Sequence, residues 1–307
     1  MRRQLRVLYT FTAIVFSGAV SPLAHAASNR VYVGLNGNNV NDCSNPATPC
    51  STYAGAMSQL AAGGEIIVEA SGAYGPIDVT QALSINAADG VVAYSCCQVN
   101  VNASGATVVL RGLTIDGTGR ASNGINVVAV GALYVERCVI TGFTGSFGGD
   151  PAHGNGIYFG SSGNLYVKDT IVRANTQVGI WIQPASGSAW ASIDRSRFEG
   201  NTYGLNVAGS SFATIRYSVA SGSANAGLLV ESGGELNVED CVVANNNNGI
   251  ASQGTGSLAR VSNSTVTDNT LGIGSFAPGP GSILSRGNNT VAGNTSNGSF
   301  TGSFLAM

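Results

Sequence analysis

The chain has 307 residues, with 14 Lys+Arg against 16 Asp+Glu, 43 Gly and 8 Pro. Charged residues make up 10% of it, against roughly 25% in an ordinary soluble domain, and its single lysine leaves no basic stripe dense enough to neutralise a row of nucleic-acid phosphates. The 44% of apolar residues excludes intrinsic disorder, and the excess of Gly, Ser, Asn, Thr and Val suits many short strands joined by tight turns.

Residues 1–26 read as a removable leader. Met1-Arg2-Arg3-Gln4-Leu5-Arg6 is basic, Val7 to Val20 is apolar, and Ala24-His25-Ala26 offers a small-x-small cleavage site, the pattern of a secretory signal peptide. The apolar run falls short of the roughly 20 residues needed to span a bilayer, and no later segment would span one. The sequence thus predicts an exported protein, periplasmic or extracellular, cut near Ala26 and without a transmembrane segment. Losing Arg2, Arg3 and Arg6 leaves 11 positive against 16 negative side chains, and His153 as the one histidine. Export permits disulfides. Cys43 and Cys50 bracket a short Pro-containing loop and are a candidate pair, whereas the adjacent Cys96 and Cys97 have no partner that sequence can assign.

Residues 27–64 are expected to be a loop and a short helical cap. Ser51 is a candidate N-cap for a helix over Tyr53, Ala54, Met57, Leu60 and Ala61, closed by Gly63-Gly64. Glu65-Ile66-Ile67-Val68-Glu69 then begins the strands. An amphipathic helix here would cover the open end of the first turn, where core and strand edges are otherwise bare.

From there to about residue 292 the chain repeats. Anchors at Leu110, Val135, Val167, Ile193, Ile215, Val238 and Val261 are separated by 25, 32, 26, 22, 23 and 23 residues. A second anchor follows five positions later in each repeat (Ile115, Ile140, Val172, Phe198, Ala220, Val243, Val266). A third follows a glycine (Ile125, Ile157, Ile180, Leu205, Leu228, Ile250, Ile273). Three short strands per rung of about 23 residues predict a single-stranded, all-β parallel β-helix over 65–292, with a C-terminal tail or cap over 293–307. Three columns support the register. Asn175, Asn201, Ser223, Asn246, Asn269 and Asn294 fall at one bend; Cys138, Thr170, Ser196, Ser218, Cys241 and Ser264 form a small, buried column; Arg111, Glu136, Lys168, Asp194, Arg216 and Glu239 alternate in sign outward, beside Arg137, Asp169 and Arg195. Cys138 and Cys241 stand four rungs apart, roughly 19 Å at strand spacing, too far to bridge.

The run Cys50-Ser51-Thr52-Tyr53-Ala54-Gly55-Ala56, then Gly63-Gly64-Glu65-Ile66, then Leu110-Arg111-Gly112-Leu113-Thr114-Ile115-Asp116-Gly117 resembles exported bacterial right-handed parallel β-helix repeat proteins of the pectin-lyase-like superfold, over about 31–305. The resemblance implies a right-handed helix. It implies function weakly, because the superfold carries lyases, hydrolases and epimerases and the nearest branch has no settled activity.

The chemistry of those enzymes is sparse in this sequence. The aspartate cluster and Gly-His-Gly element of polygalacturonases are missing, and Asp116 reads as a turn residue. No acidic calcium cluster or other metal site emerges and no cofactor is expected. Lys168 lies between Glu136 and Asp194, which would keep it protonated, wrong for a base. The longest repeat carries its excess in 142–155, where Asp150-Pro151-Ala152-His153 resembles, with one inserted residue and without the second acid, the Asp-Pro-His-acid motif of uronate epimerases. Asp150 and His153 are therefore candidate catalytic residues, an ordinary Asp-Pro turn being the plain alternative. Tyr134, Tyr166, Tyr158 and Trp181, outward on adjacent rungs, are candidate sugar-binding residues, with cross-strand aromatic pairing as the plain alternative. The expected function is a secreted β-helix that binds polysaccharide or cell-envelope glycan without catalysis. The alternatives are a uronic-acid lyase or C5-epimerase acting through 142–155, or a purely structural surface protein.

Overall fold

The computed structural model describes residues 27–120, 122–145 and 153–305. The leader expected at 1–26 and Asp150 lie outside them. The described chain is an all-β parallel solenoid of about 10 turns with one helix. Every pairing between its strands is parallel, and they join into a 10-stranded and a 20-stranded sheet. Because each strand alternates side chains in and out, one inward residue per pleat stacks on its equivalent in the next turn. The buried interior runs as one apolar cluster from Val31 to Ile283.

The register is the one the repeats predict. Val135 pairs with Val167, Val167 with Ile193, and Ile193 with Ile215. In the second series Ile140 pairs with Val172 and Val172 with Phe198; in the third, Ile157 pairs with Ile180 and Ile180 with Leu205.

Two side-chain ladders bind the turns together at the bends, where strand hydrogen bonding lapses. Asn175 N–H donates to Asn201 Oδ1 at 3.0 Å, Asn246 N–H to Asn269 Oδ1 at 2.9 Å and Asn269 N–H to Asn294 Oδ1 at 2.9 Å. The small column does the same with hydroxyls: Cys138 N–H donates to Thr170 Oγ1, Thr170 N–H to Ser196 Oγ, and Ser196 N–H to Ser218 Oγ. The donor residues are buried, so each bond satisfies a backbone donor largely shielded from water.

The outward charges pair only in part. Arg111 bridges Glu136 at 2.8 Å, and Asp194 takes both Arg195 at 2.8 Å and Arg216 at 3.2 Å. Arg195 also holds Asp169 at 2.8 Å, while Arg137 reaches Asp89 instead. The Arg195 guanidinium, by hydrogen bond and charge, holds the Asp169 carboxyl below its ordinary value.

The first turns differ from expectation. The helix is Tyr53–Gln59, and its N-cap is Thr52, not Ser51; the Thr52 hydroxyl accepts from Gly55 N–H at 3.1 Å. Leu60 and Ala61 belong to the strand Leu60–Val68 rather than to the helix. The segment before the helix is not only loop, because Ser28–Val33 pairs in parallel with Leu60–Val68 and extends the sheet by one strand. At the other end, Ser296–Gly298 and Gly302–Ser303 carry the pairing past residue 292. Cys43 and Cys50 form a disulfide. The Sγ atoms of Cys96 and Cys97 are 2.8 Å apart; the hydrogen bond with Cys96, then burial, raises the Cys97 thiol above its ordinary value.

Candidate functional site

Tyr134 and Tyr166 occupy the outward positions of strands Ile125–Glu136 and Gly163–Lys168, opposite each other across the ladder. Their rings stack with centroids 4.5 Å apart at 15°. Alternation fixes this direction, since Leu133, Val135, Leu165 and Val167 point inward. The next two turns continue the aromatic surface one column over. Trp190, on Ala189–Asp194, pairs with Phe212, on Ser211–Arg216, and their rings stack at 6.0 Å and 18°.

These two are well exposed, Trp190 at 53% and Phe212 at 39%. Tyr166, Trp190 and Phe212 border a shallow groove of about 310 Å³ whose polar lining is Asn164, Ser192, Thr214 and Asn237. Among the described residues no carboxylate, lysine or arginine lines it. Trp190 also edges a second groove of about 620 Å³ that crosses the turns at Gly131, Ser161 and Ser186. Flat rings with amides and hydroxyls between them suit a ligand with apolar C–H faces and hydroxyl edges.

Sequence reading missed Trp190 and Phe212 because it followed the Tyr134 column. The signal was available, for each lies three positions before an inward anchor, Ile193 or Ile215. The other expected pair, Tyr158 and Trp181, is in register on Ile157–Phe159 and Val178–Ile182 and meets edge to face at 5.5 Å. It belongs to a different series of strands, on the other side of the turn 183–188. Burial raises the Tyr158 phenol above its ordinary value.

His153 is partly exposed, and its Nδ1 is buried without a hydrogen-bond partner among the described residues. The ends of its loop are clamped, with Gly145 N–H on Thr176 Oγ1 at 2.8 Å and Gly154 N–H on Ser122 O at 2.9 Å. Asp116 behaves as a turn residue, its Oδ1 accepting from Thr118 N–H at 2.7 Å. Lys168 makes no ion pair among the described residues, the carboxylate of Asp194 being taken by two arginines. Among the described residues no group of three or more His, Cys, Asp or Glu is placed to hold a metal ion.

The sequence matches the family described as "Right handed beta helix region" over residues 27–216 and again over 123–296. The chain belongs to this right-handed β-helix family. Among solved structures, the β-helix protein is similar to pectate lyase Pel9A, with 16% identity and a TM-score of 0.54, covering 85% of this chain and 69% of that one. At that identity the likeness is one of fold. It is also similar to the GH136 lacto-N-biosidase from Eubacterium ramulus, with 10% identity and a TM-score of 0.43, covering 90% of this chain and 67% of that one. No curated protein matches the sequence. No described helix of the β-helix protein is long and apolar enough to cross a membrane.

Proposed function

We propose that this β-helix protein is exported, carries three short strands to each turn under an N-terminal helical cap, and binds an extended glycan along its outer surface without transforming it. The observation that supports the reading is the groove edged by Tyr166, Trp190 and Phe212, with Tyr134 stacked behind. Its ring planes are exposed, and amides and hydroxyls lie between them. A polymer lying along the solenoid axis meets a new side chain with every turn, about 4.8 Å apart. Retention of the purified protein on insoluble polysaccharides, pectate among the first, tests it. Replacing Trp190 and Phe212 together by Ala should weaken retention about tenfold or more, equivalent to about 1.4 kcal/mol, with the circular dichroism unchanged. Since no ionised group among the described residues lines the groove, retention should alter little as salt rises to about 1 M, where screening acts within about 3 Å. Retention equal to that of the unsubstituted protein would sink the proposal.

One observation keeps a second reading in play, that of a uronate lyase or epimerase: the buried Nδ1 of His153, which has no hydrogen-bond partner among the described residues. Its test is the appearance of unsaturated products or C5 inversion on uronate polymers, abolished by His153→Ala.

A further inference from the structure

A third concavity, of about 270 Å³, lies on the strand series that carries Trp181, nearer the C-terminus. Strands Tyr203–Val207, Ala226–Glu231, Asn248–Gln253 and Leu271–Phe276 form it. Register places Asn206, Leu229 and Ala251 in one outward column. Outward residues of a solenoid are ordinarily wet, yet Leu229 is 5% and Ala251 2% exposed. With Ala226 they form a small apolar cluster, separate from the interior, against which Tyr203 and Phe276 pack. The result is an apolar floor between two aromatic walls.

The polar groups are placed around that floor. Asn206, 2% exposed, donates from Nδ2 to Glu231 Oε2 at 2.7 Å. Its Oδ1 is buried and accepts no hydrogen bond among the described residues, an acceptor left unmade at a cost in stability. Asn225 Nδ2 donates to Tyr203 Oη at 2.6 Å and holds the phenol in place. Burial first, then the negative charge of Glu231, raises the Tyr203 phenol above its ordinary value. Among the described residues no lysine or arginine lines the concavity and none forms an ion pair with Glu231.

We infer that this concavity binds a single uncharged sugar ring. The apolar face of the ring lies on Leu229 and Ala251 between Tyr203 and Phe276, one hydroxyl donates to Asn206 Oδ1, and another donates to the Glu231 carboxylate. The volume sits just below the roughly 300–1,000 Å³ of sites for larger ligands, which suits one ring. Glu231 sets the class, because a uronate or phosphosugar would bring a second negative charge against it with no described lysine or arginine lining the concavity to neutralise either. The site is independent of the Trp190 groove, on other strands and with other residues.

Saturation-transfer NMR and calorimetry on the full mature chain test it, with methyl glucoside, N-acetylglucosamine and galacturonate as probes. The neutral rings should bind saturably, and galacturonate at least about tenfold more weakly. Leu229→Trp, which fills the floor, should abolish binding, and Gln253→Ala at the rim should weaken it several-fold should the larger change disturb folding. Glu231→Gln should bring galacturonate to within about twofold of the neutral rings. The variant lacking Trp190 and Phe212 should keep its monosaccharide binding whether or not glycan retention fails. Absence of saturable binding by both neutral rings, equal binding of galacturonate to the unsubstituted protein, or binding that survives Leu229→Trp would each overturn the inference.

Discussion

Cys138 and Cys241 show how much a single buried side chain does here. Each occupies a place that hydroxyls hold in neighbouring turns, its thiol directed at backbone oxygens: Glu136 O at 3.3 Å for Cys138 and Glu239 O at 3.1 Å for Cys241. Burial pushes both thiols up to about 11, partly opposed by backbone hydrogen bonds at Leu113 and Gly112 for Cys138 and at Ser218 for Cys241. A thiol whose value is raised on folding keeps its proton better in the native state. Stability is therefore full below the ordinary thiol value of about 9 and falls as pH rises from there toward 11, by roughly 1.4 kcal/mol per pH unit for each thiol. Denaturation midpoints measured from pH 7 to 10.5 should show this decline, and the double substitution Cys138→Ser with Cys241→Ser should flatten it. The sequence showed that these positions are small and buried. Their bonding was not legible, because it depends on which carbonyl each Sγ faces once the turn closes.

Among elements, the strands whose third-series anchor follows a glycine are tightly constrained. A Cβ on Gly204 would stand 2.4 Å from Gly227 O and 3.2 Å from Phe198 Cβ, backbone and core that cannot move aside cheaply. The repeat of glycine before the third anchor thus has a steric cause: successive turns approach there more closely than a methyl allows. Gly204→Ala should cost about 1–3 kcal/mol through overpacking in urea titrations. Gly209→Ala, at φ +64° with open space around it, should cost only the strain of that conformation, about 1 kcal/mol. The short helix was less legible. Leu60 and Ala61 fit its apolar face by spacing, but they follow it into a strand, where Leu60 pairs with Ser28 and Gly64 with Leu83. Pairing with a distant strand outweighed local period, and the Ser28–Val33 strand was invisible without knowing its partner.

For the whole molecule, stability is close to a sum over turns and their interfaces. Val219 pairs with Val242, Ala220 with Val243 and Ser221 with Ala244, so deleting residues 219–241 joins Ser218 to Val242 with every column still in register. That deletion should fold to a shorter solenoid of unchanged circular dichroism shape and keep Trp190 and Phe212. Removal of half as many residues would turn inward anchors outward and should leave the chain unfolded. The sites are the least legible at this scale. A repeat tells which residues share a column, whereas a groove depends on neighbouring columns together: Trp190 borders Tyr166 without aligning with it, and the Leu229 floor draws on four turns.

The parallel pairing has one more consequence. In this molecule the thread and the weave are separate things, since neighbouring coils are stitched across the axis and the backbone merely visits each in order. A cut at the exposed turn of Ser186 and Gly187 would sever the thread. It would leave Gly163–Lys168 laced to Ala189–Asp194, and Val178–Ile182 to Tyr203–Val207. The two pieces would travel together as one particle until a denaturant undid the stitching.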